Sequence, residues 1–124
     1  KANTDWKKTL GSERRQYEKA FPKPKGSSID IISLECQNSR VPMDLIELIR
    51  GKKVMVGAID VASDIIETPE QVADTLRKAL QFVDVDKLYP STNCGMAPLS
   101  RCVAKGKLAA LGAGAAIIRR ELSV

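Results

Sequence analysis

The sequence predicts an α/β fold of three consecutive βα units with parallel strands, on the strength of three observations. Short β-branched runs alternate with amphipathic helical stretches, as in βαβ units with right-handed crossovers. The strand runs are nearly continuous in apolar character, the pattern of parallel strands covered on both faces. Each run ends in a residue with chemical potential, Glu35, Asp60 and Cys94, spaced 25 and 34 positions apart. An eight-fold βα barrel of ~250 residues averages about 31 per unit. Three strands cannot close a barrel, and as an open sheet they leave two bare edges. The 124 residues therefore read as one segment, the carboxy-terminal portion of a TIM-type (β/α)8 barrel. The rival is a small independent three-layer α/β domain.

In chain order, Ser12 to Ala20 reads as a helix stopped by Pro22 and Pro24. Ile29 to Leu34 is the first strand. Pro42 to Ile49 follows as a helix striped by Leu45, Ile46, Leu48 and Ile49 and closed by Gly51. Lys53 to Ile59 is the second strand. The next helix carries a capping box of Thr68 and Gln71 with Pro69 in its first turn, and a stripe of Val72, Leu76, Ala79 and Leu80. Leu88 and Tyr89 begin a shorter third strand that ends near Ser91 or Thr92. A final helix from about Leu99 to Glu121 turns Ala104, Leu108, Leu111, Ala115, Ile118 and Leu122 to one side.

Composition bounds the function classes. Hydrophobic residues at 44% and charged residues at 28% are ordinary globular usage. No apolar run approaches the roughly 18–20 residues of a membrane helix, so no membrane partner is expected. Lys1 rather than Met opens the chain, which suggests a removed start or an internal piece of something longer. Three cysteines without scaffold spacing fit a reducing, cytoplasmic setting. The net charge of +5 leans toward the first 25 residues. Interspersed Glu13 and Glu18 and few aromatics favour a solvated helix face over a nucleic-acid patch. Steering of a polyanionic substrate is a third reading of the same charge. No nucleophile elbow, phosphate loop, dinucleotide fingerprint or HExxH motif occurs. Gly106, Gly112 and Gly114 sit within the last helical pattern, where they suit close packing rather than phosphate binding.

Parallel α/β sheets place their sites at the carboxyl ends of the strands. Glu35, Asp60 and Cys94 are expected to meet there although they are distant in sequence. A carboxylate with a thiolate suits zinc, which accepts oxygen and sulfur donors. Gly95 after Cys94 would allow a tight turn around an ion. On spacing alone a salt-bridging Glu35 and a buried Cys94 explain the same residues, and the chain has no histidine. Cys36 should point away from Glu35, as adjacent strand residues do unless the strand has ended, and Cys102 reads as core packing.

Three segments carry a resemblance: Ile31-Ile32-Ser33-Leu34-Glu35, then Val56-Gly57-Ala58-Ile59-Asp60-Val61-Ala62-Ser63, then Tyr89-Pro90-Ser91-Thr92-Asn93-Cys94-Gly95-Met96. From about Ser28 to Leu122 the chain resembles the carboxy-terminal catalytic region of the cobalamin-independent methionine synthase family and its shorter relatives. That resemblance implies a barrel enzyme that transfers a methyl group to the thiol of homocysteine, giving methionine. The donor it implies is a methylated, polyglutamylated folate such as methyltetrahydrofolate, or a methylated corrinoid. It also implies a zinc ion held by a His-x-Cys pair, a strand-end Glu and a late Cys, the last two matching Glu35 and Cys94. The His-x-Cys pair would lie just upstream of Lys1, so the chain alone should be catalytically incompetent or nearly so. Ala62 stands where longer members have a proton-donating histidine, which favours another donor or another acid. Asp60 keeps its place as a candidate catalytic residue, either orienting a ligand or bonding backbone amides. The alternatives are an alkyl transferase acting on coenzyme M or another small thiol, and a noncatalytic α/β interaction module. Bare sheet edges further predict self-association, or completion by the missing amino-terminal part of the barrel.

Overall fold

The computed structural model describes residues 15–39 and 41–123. A 3-10 turn (Arg15–Lys19) and a four-residue helix α1 (Pro22–Lys25) lead into strand β1 (Ile31–Glu35). A 3-10 helix (Met43–Ile49) connects to β2 (Lys53–Ile59), and helix α2 (Pro69–Ala79) follows. A short 3-10 turn (Val85–Lys87), β3 (Leu88–Thr92) and the long helix α3 (Arg101–Glu121) complete the chain. The strands form one sheet in the order β1-β2-β3, both pairs parallel.

Local chemistry explains most of these boundaries. Thr68 Oγ1 accepts from the Gln71 amide at 3.2 Å while Gln71 Oε1 accepts from the Thr68 amide at 2.8 Å, so the predicted capping box is present. Ser100 caps α3 through the Val103 amide, which moves the helix start two residues past the expected Leu99. Gly51, at φ +102, reverses the chain after the 3-10 helix in a conformation that only glycine adopts without strain. Residues 43–49 wind with i→i−3 bonds, as in Arg50 N–H to Glu47 O, and form a 3-10 rather than the expected α-helix. The expected helix over 12–20 is a 3-10 turn within the described residues, and its first three positions lie outside them. Pro22 opens α1 instead of ending a helix, because its missing N–H is unneeded in a first turn.

The core lies on one side of the sheet. Val54, Val56 and Ala58 of β2 are packed under Val72, Ala73, Leu76 and Ala79 of α2 and Ala110, Ala115 and Ile118 of α3. The other side is open over the first part of the strands, where Ile31, Met55 and Tyr89 are each more than a third exposed, whereas Gly57 and Ser91 nearer the carboxyl ends are buried. The expectation of strands buried on both faces holds only in part. The inward stripe of α3 also differs from the expected one. Lys107, Ala110, Gly114, Ala115 and Ile118 face in, whereas Leu108 is 53% and Leu122 43% exposed. Small residues win that face because α2 approaches closely: a Cβ on Gly114 would lie 2.5 Å from Val72 Cγ1. Gly106 is tight in the same way against Ile66, while Gly112 faces open space.

Candidate functional site

The parallel register sets the three strand ends on one edge. Glu35 pairs with Gly57, and Ile59 pairs with Thr92 across an irregularity in the β2–β3 ladder. Glu35 is the last residue of β1 and exposed; Cys94 follows β3 by two residues and is exposed. Thr92 Oγ1 donates to the Cys94 carbonyl at 2.8 Å and steadies that turn. Gly95 is not in the left-handed region, so its freedom is not what bends the chain there.

The loops that carry Glu35 and Cys94 are tied to each other by a residue that sequence reasoning treated only as part of a motif. Asn93 Nδ2 donates to the Gln37 carbonyl at 2.7 Å, and its Oδ1 accepts from the Gln37 amide at 3.3 Å. The Asn93 amide itself donates to Ile59 O at 2.9 Å. One side chain thus spans from the β3 loop across β2 to the β1 loop. Gly57 makes the crossing possible, because a Cβ there would stand 2.5 Å from Asn93 Oδ1 and 2.8 Å from Leu34 O. Gln37 is anchored in turn, its Oε1 accepting from Thr75 Oγ1 of α2 at 3.0 Å.

Asp60 stands at the end of β2 between the two tied loops. Its Oδ1 accepts from the Ala62 amide at 2.8 Å and its Oδ2 from Asn38 Nδ2 at 3.1 Å. Asn38 adopts φ 55, a left-handed turn that asparagine tolerates. The amide-bonding reading of Asp60 is therefore present in the geometry. Ala62, with no ionisable group, is exposed beside it.

The other thiols part company with this edge. Cys36 is half-buried, and burial pushes its thiol up to about 11, a backbone hydrogen bond with Gly57 pulling less strongly the other way. Such a thiol stays protonated near neutral pH and makes a poor metal donor. Cys102 is exposed, not core packing, because it lies five residues before Lys107 and so about 140° around the helix from the inward face. Ser91, paired with Gly57, has a buried hydroxyl oxygen without a hydrogen-bond partner among the described residues.

Sequence reasoning also missed a buried ion pair. Lys107 of α3 is fully buried, and its Nζ lies 2.9 Å from Glu67 Oε2. The only sequence-level sign was a lysine at the 107/110/114/118 spacing of the small-residue stripe.

Comparison with known proteins identifies the family. The profile of the family described as "Cobalamin-independent synthase, Catalytic domain" matches residues 16–116. A methionine synthase of Thermococcus kodakarensis is 32% identical over 81 residues, 65% of this chain and 24% of that protein. A 2-hydroxypropyl-CoM lyase of Xanthobacter autotrophicus is 33% identical over 109 residues, 82% of this chain and 29% of that protein. The solved structure of a B12-independent methionine synthase from Shewanella sp. W3-18-1, in complex with selenomethionine, superposes with a TM-score of 0.94. It is 77% identical, over 98% of this chain and 36% of that one. The chain thus spans between about a quarter and just over a third of the length of these relatives. Its three parallel strands and their helices are βα units of a TIM-type barrel. By profile, by sequence and by superposition, the chain belongs to the cobalamin-independent methionine synthase catalytic-domain family.

Proposed function

We propose that the intact protein carrying this chain transfers a methyl group to the thiol of homocysteine, forming methionine, with Glu35 and Cys94 as two ligands of a zinc ion. The observation that carries the reading is the shared edge: an exposed carboxylate and an exposed thiol stand on loops cross-tied by Asn93 and Gln37. Their donor set, one oxygen and one sulfur, fits zinc. A complete site needs three or four protein donors. Among the described residues no group of three His, Cys, Asp or Glu is placed to hold a metal. The remaining donors belong to other parts of the intact protein, with a His-x-Cys pair as the expected source. When bound, the metal supplies the positive charge that keeps an acceptor thiol deprotonated at neutral pH.

The residues of this chain set the stage for that chemistry. Asn93 and Gln37 hold the two ligand-bearing loops at fixed spacing, and Asp60 anchors the loop between them. The acceptor sulfur attacks the methyl carbon, so the S–C bond forms as the donor–C bond breaks. Ala62 has no proton to give to the departing donor. A corrinoid donor, or a folate protonated by another group, is compatible with that position. The uncovered face of the sheet turns to the interior of the barrel that the remaining units complete, and the 124 residues act as one segment of it. No described helix is long and apolar enough to cross a membrane, and we place the protein in the cytoplasm.

The similarity to 2-hydroxypropyl-CoM lyase over 82% of the chain supports a second reading, alkyl transfer involving coenzyme M or another small thiol. Turnover assays of the intact protein with each thiol and each methyl donor separate the two. For either reading, Cys94→Ser and Glu35→Gln should each lower bound zinc and reduce kcat by more than about 100-fold, beyond what loss of an outer partner costs. The fold by circular dichroism should stay unchanged. Full zinc content and full turnover in Cys94→Ser would remove the assignment.

A further inference from the structure

Lys107 is 0% exposed, yet all three of its ammonium N–H groups find acceptors. Nζ donates to the Ile65 carbonyl at 2.5 Å, to Glu67 Oε2 at 2.9 Å and to Glu67 Oε1 at 3.2 Å. Glu67 is buried as well, and its Oε1 also accepts from the Asp60 amide at 2.9 Å. A second contact reinforces the first: Gly106, beside Lys107, lets α3 settle onto Ile66, where a Cβ would come within 2.5 Å of Ile66 Cδ1. Helix α3 thus grips residues 65–67 and, through Glu67, the first residue past β2. From there the chain of contacts continues outward, since the Asp60 carboxylate accepts from Asn38 in the loop that follows Glu35.

An ion pair is not what this position needs for stability alone. Apolar residues of similar volume replace buried pairs without loss in many proteins, because the desolvation of two charges offsets their attraction. What an apolar pair cannot do is accept the Asp60 N–H or bind the Ile65 carbonyl. We propose that Lys107 and Glu67 are positioning residues that hold the 60–67 loop, and with it the Asp60 carboxylate, at the rim where methyl transfer takes place. Neither residue touches substrate; both act through Asp60. The role in the reaction rests on the function proposed above, whereas the grip on the loop stands on the contacts themselves.

Two double variants of the intact protein test this. Lys107→Met with Glu67→Met removes both charges and the acceptor on Asp60. Lys107→Met with Glu67→Gln removes the charges but keeps an amide oxygen for the Asp60 N–H. In the Met/Met variant hydrogen–deuterium exchange across residues 60–67 should rise about tenfold, the loss of roughly one hydrogen bond. Its kcat should fall about tenfold or more through misplacement at the rim, with zinc content unchanged. The Met/Gln variant should recover most of the protection and most of the turnover. Met/Met exchanging and turning over like the native protein overturns the proposal. So does failure of both variants to fold, since the pair would then serve the core. A native protein without methyl-transfer activity removes the proposed function, and the exchange measurement still tests the grip on the loop.

Discussion

Under α2 and α3, the β2 residues Val54, Val56 and Ala58 are at most 1% exposed, whereas on the opposite face Ile31, Met55 and Tyr89 are 38–46% exposed. The same three strands therefore serve two environments. The covered face excludes water from a core of aliphatic side chains, and the free energy of folding these residues resides chiefly there. The uncovered face carries Ser33 and Glu35 among apolar neighbours and runs up to the rim where Cys94 stands. Apolar surface left open beside chemically capable residues is what a sheet shows when its second face belongs to a site and its surroundings. The contrast teaches that fold and proposed chemistry are separable along a single strand, residue by alternate residue.

Substitutions can break or sharpen that contrast. On the covered face, Leu76→Ala removes a fully buried side chain and should destabilise the protein by about 2–5 kcal/mol, read from denaturant unfolding. At the boundary between the faces, Gly57→Ala drives a methyl into Asn93 and the Leu34 carbonyl. The expected cost is about 1–3 kcal/mol, together with lowered zinc content as the clasp opens. On the open face, Met55→Ala in the isolated chain should change stability by no more than ~0.5 kcal/mol, as at an ordinary surface position. A loss as large as that of Leu76→Ala would show that Met55 is covered and erase the distinction.

The sequence made the covered half readable and the rim only half so. The parallel βα order, the Thr68–Gln71 capping box and the Gly51 reversal depend on residues within a few positions of one another, where propensity and hydrogen-bonding chemistry are decisive. The inward face of α3 was misjudged because leucines outweigh alanines and glycines in any hydrophobic stripe. The deciding factor, how closely α2 approaches at Val72, is a tertiary distance. The second strand face is open in part because a parallel strand pattern does not say which segment covers each side. Glu35 and Cys94 are proposed as ligands from the strand ends and from the family resemblance, and the structure adds only that both are exposed at that edge. The clasp that relates their loops joins residues 56 positions apart, and the Lys107–Glu67 pair joins residues 40 apart. No local pattern signals such pairs. Cys102 was misplaced with the inward face of α3: it lies five residues before Lys107, about 140° around the helix from it.

Glu35 and Cys94 are proposed to share one zinc ion. Zinc K-edge X-ray absorption on the intact protein, compared with Cys94→Ser and Glu35→Ala, addresses it directly. The spectrum of Cys94→Ser should lose one sulfur scatterer and that of Glu35→Ala one oxygen scatterer, each with weaker zinc retention. Identical coordination in all three proteins would place the metal elsewhere and contradict the account.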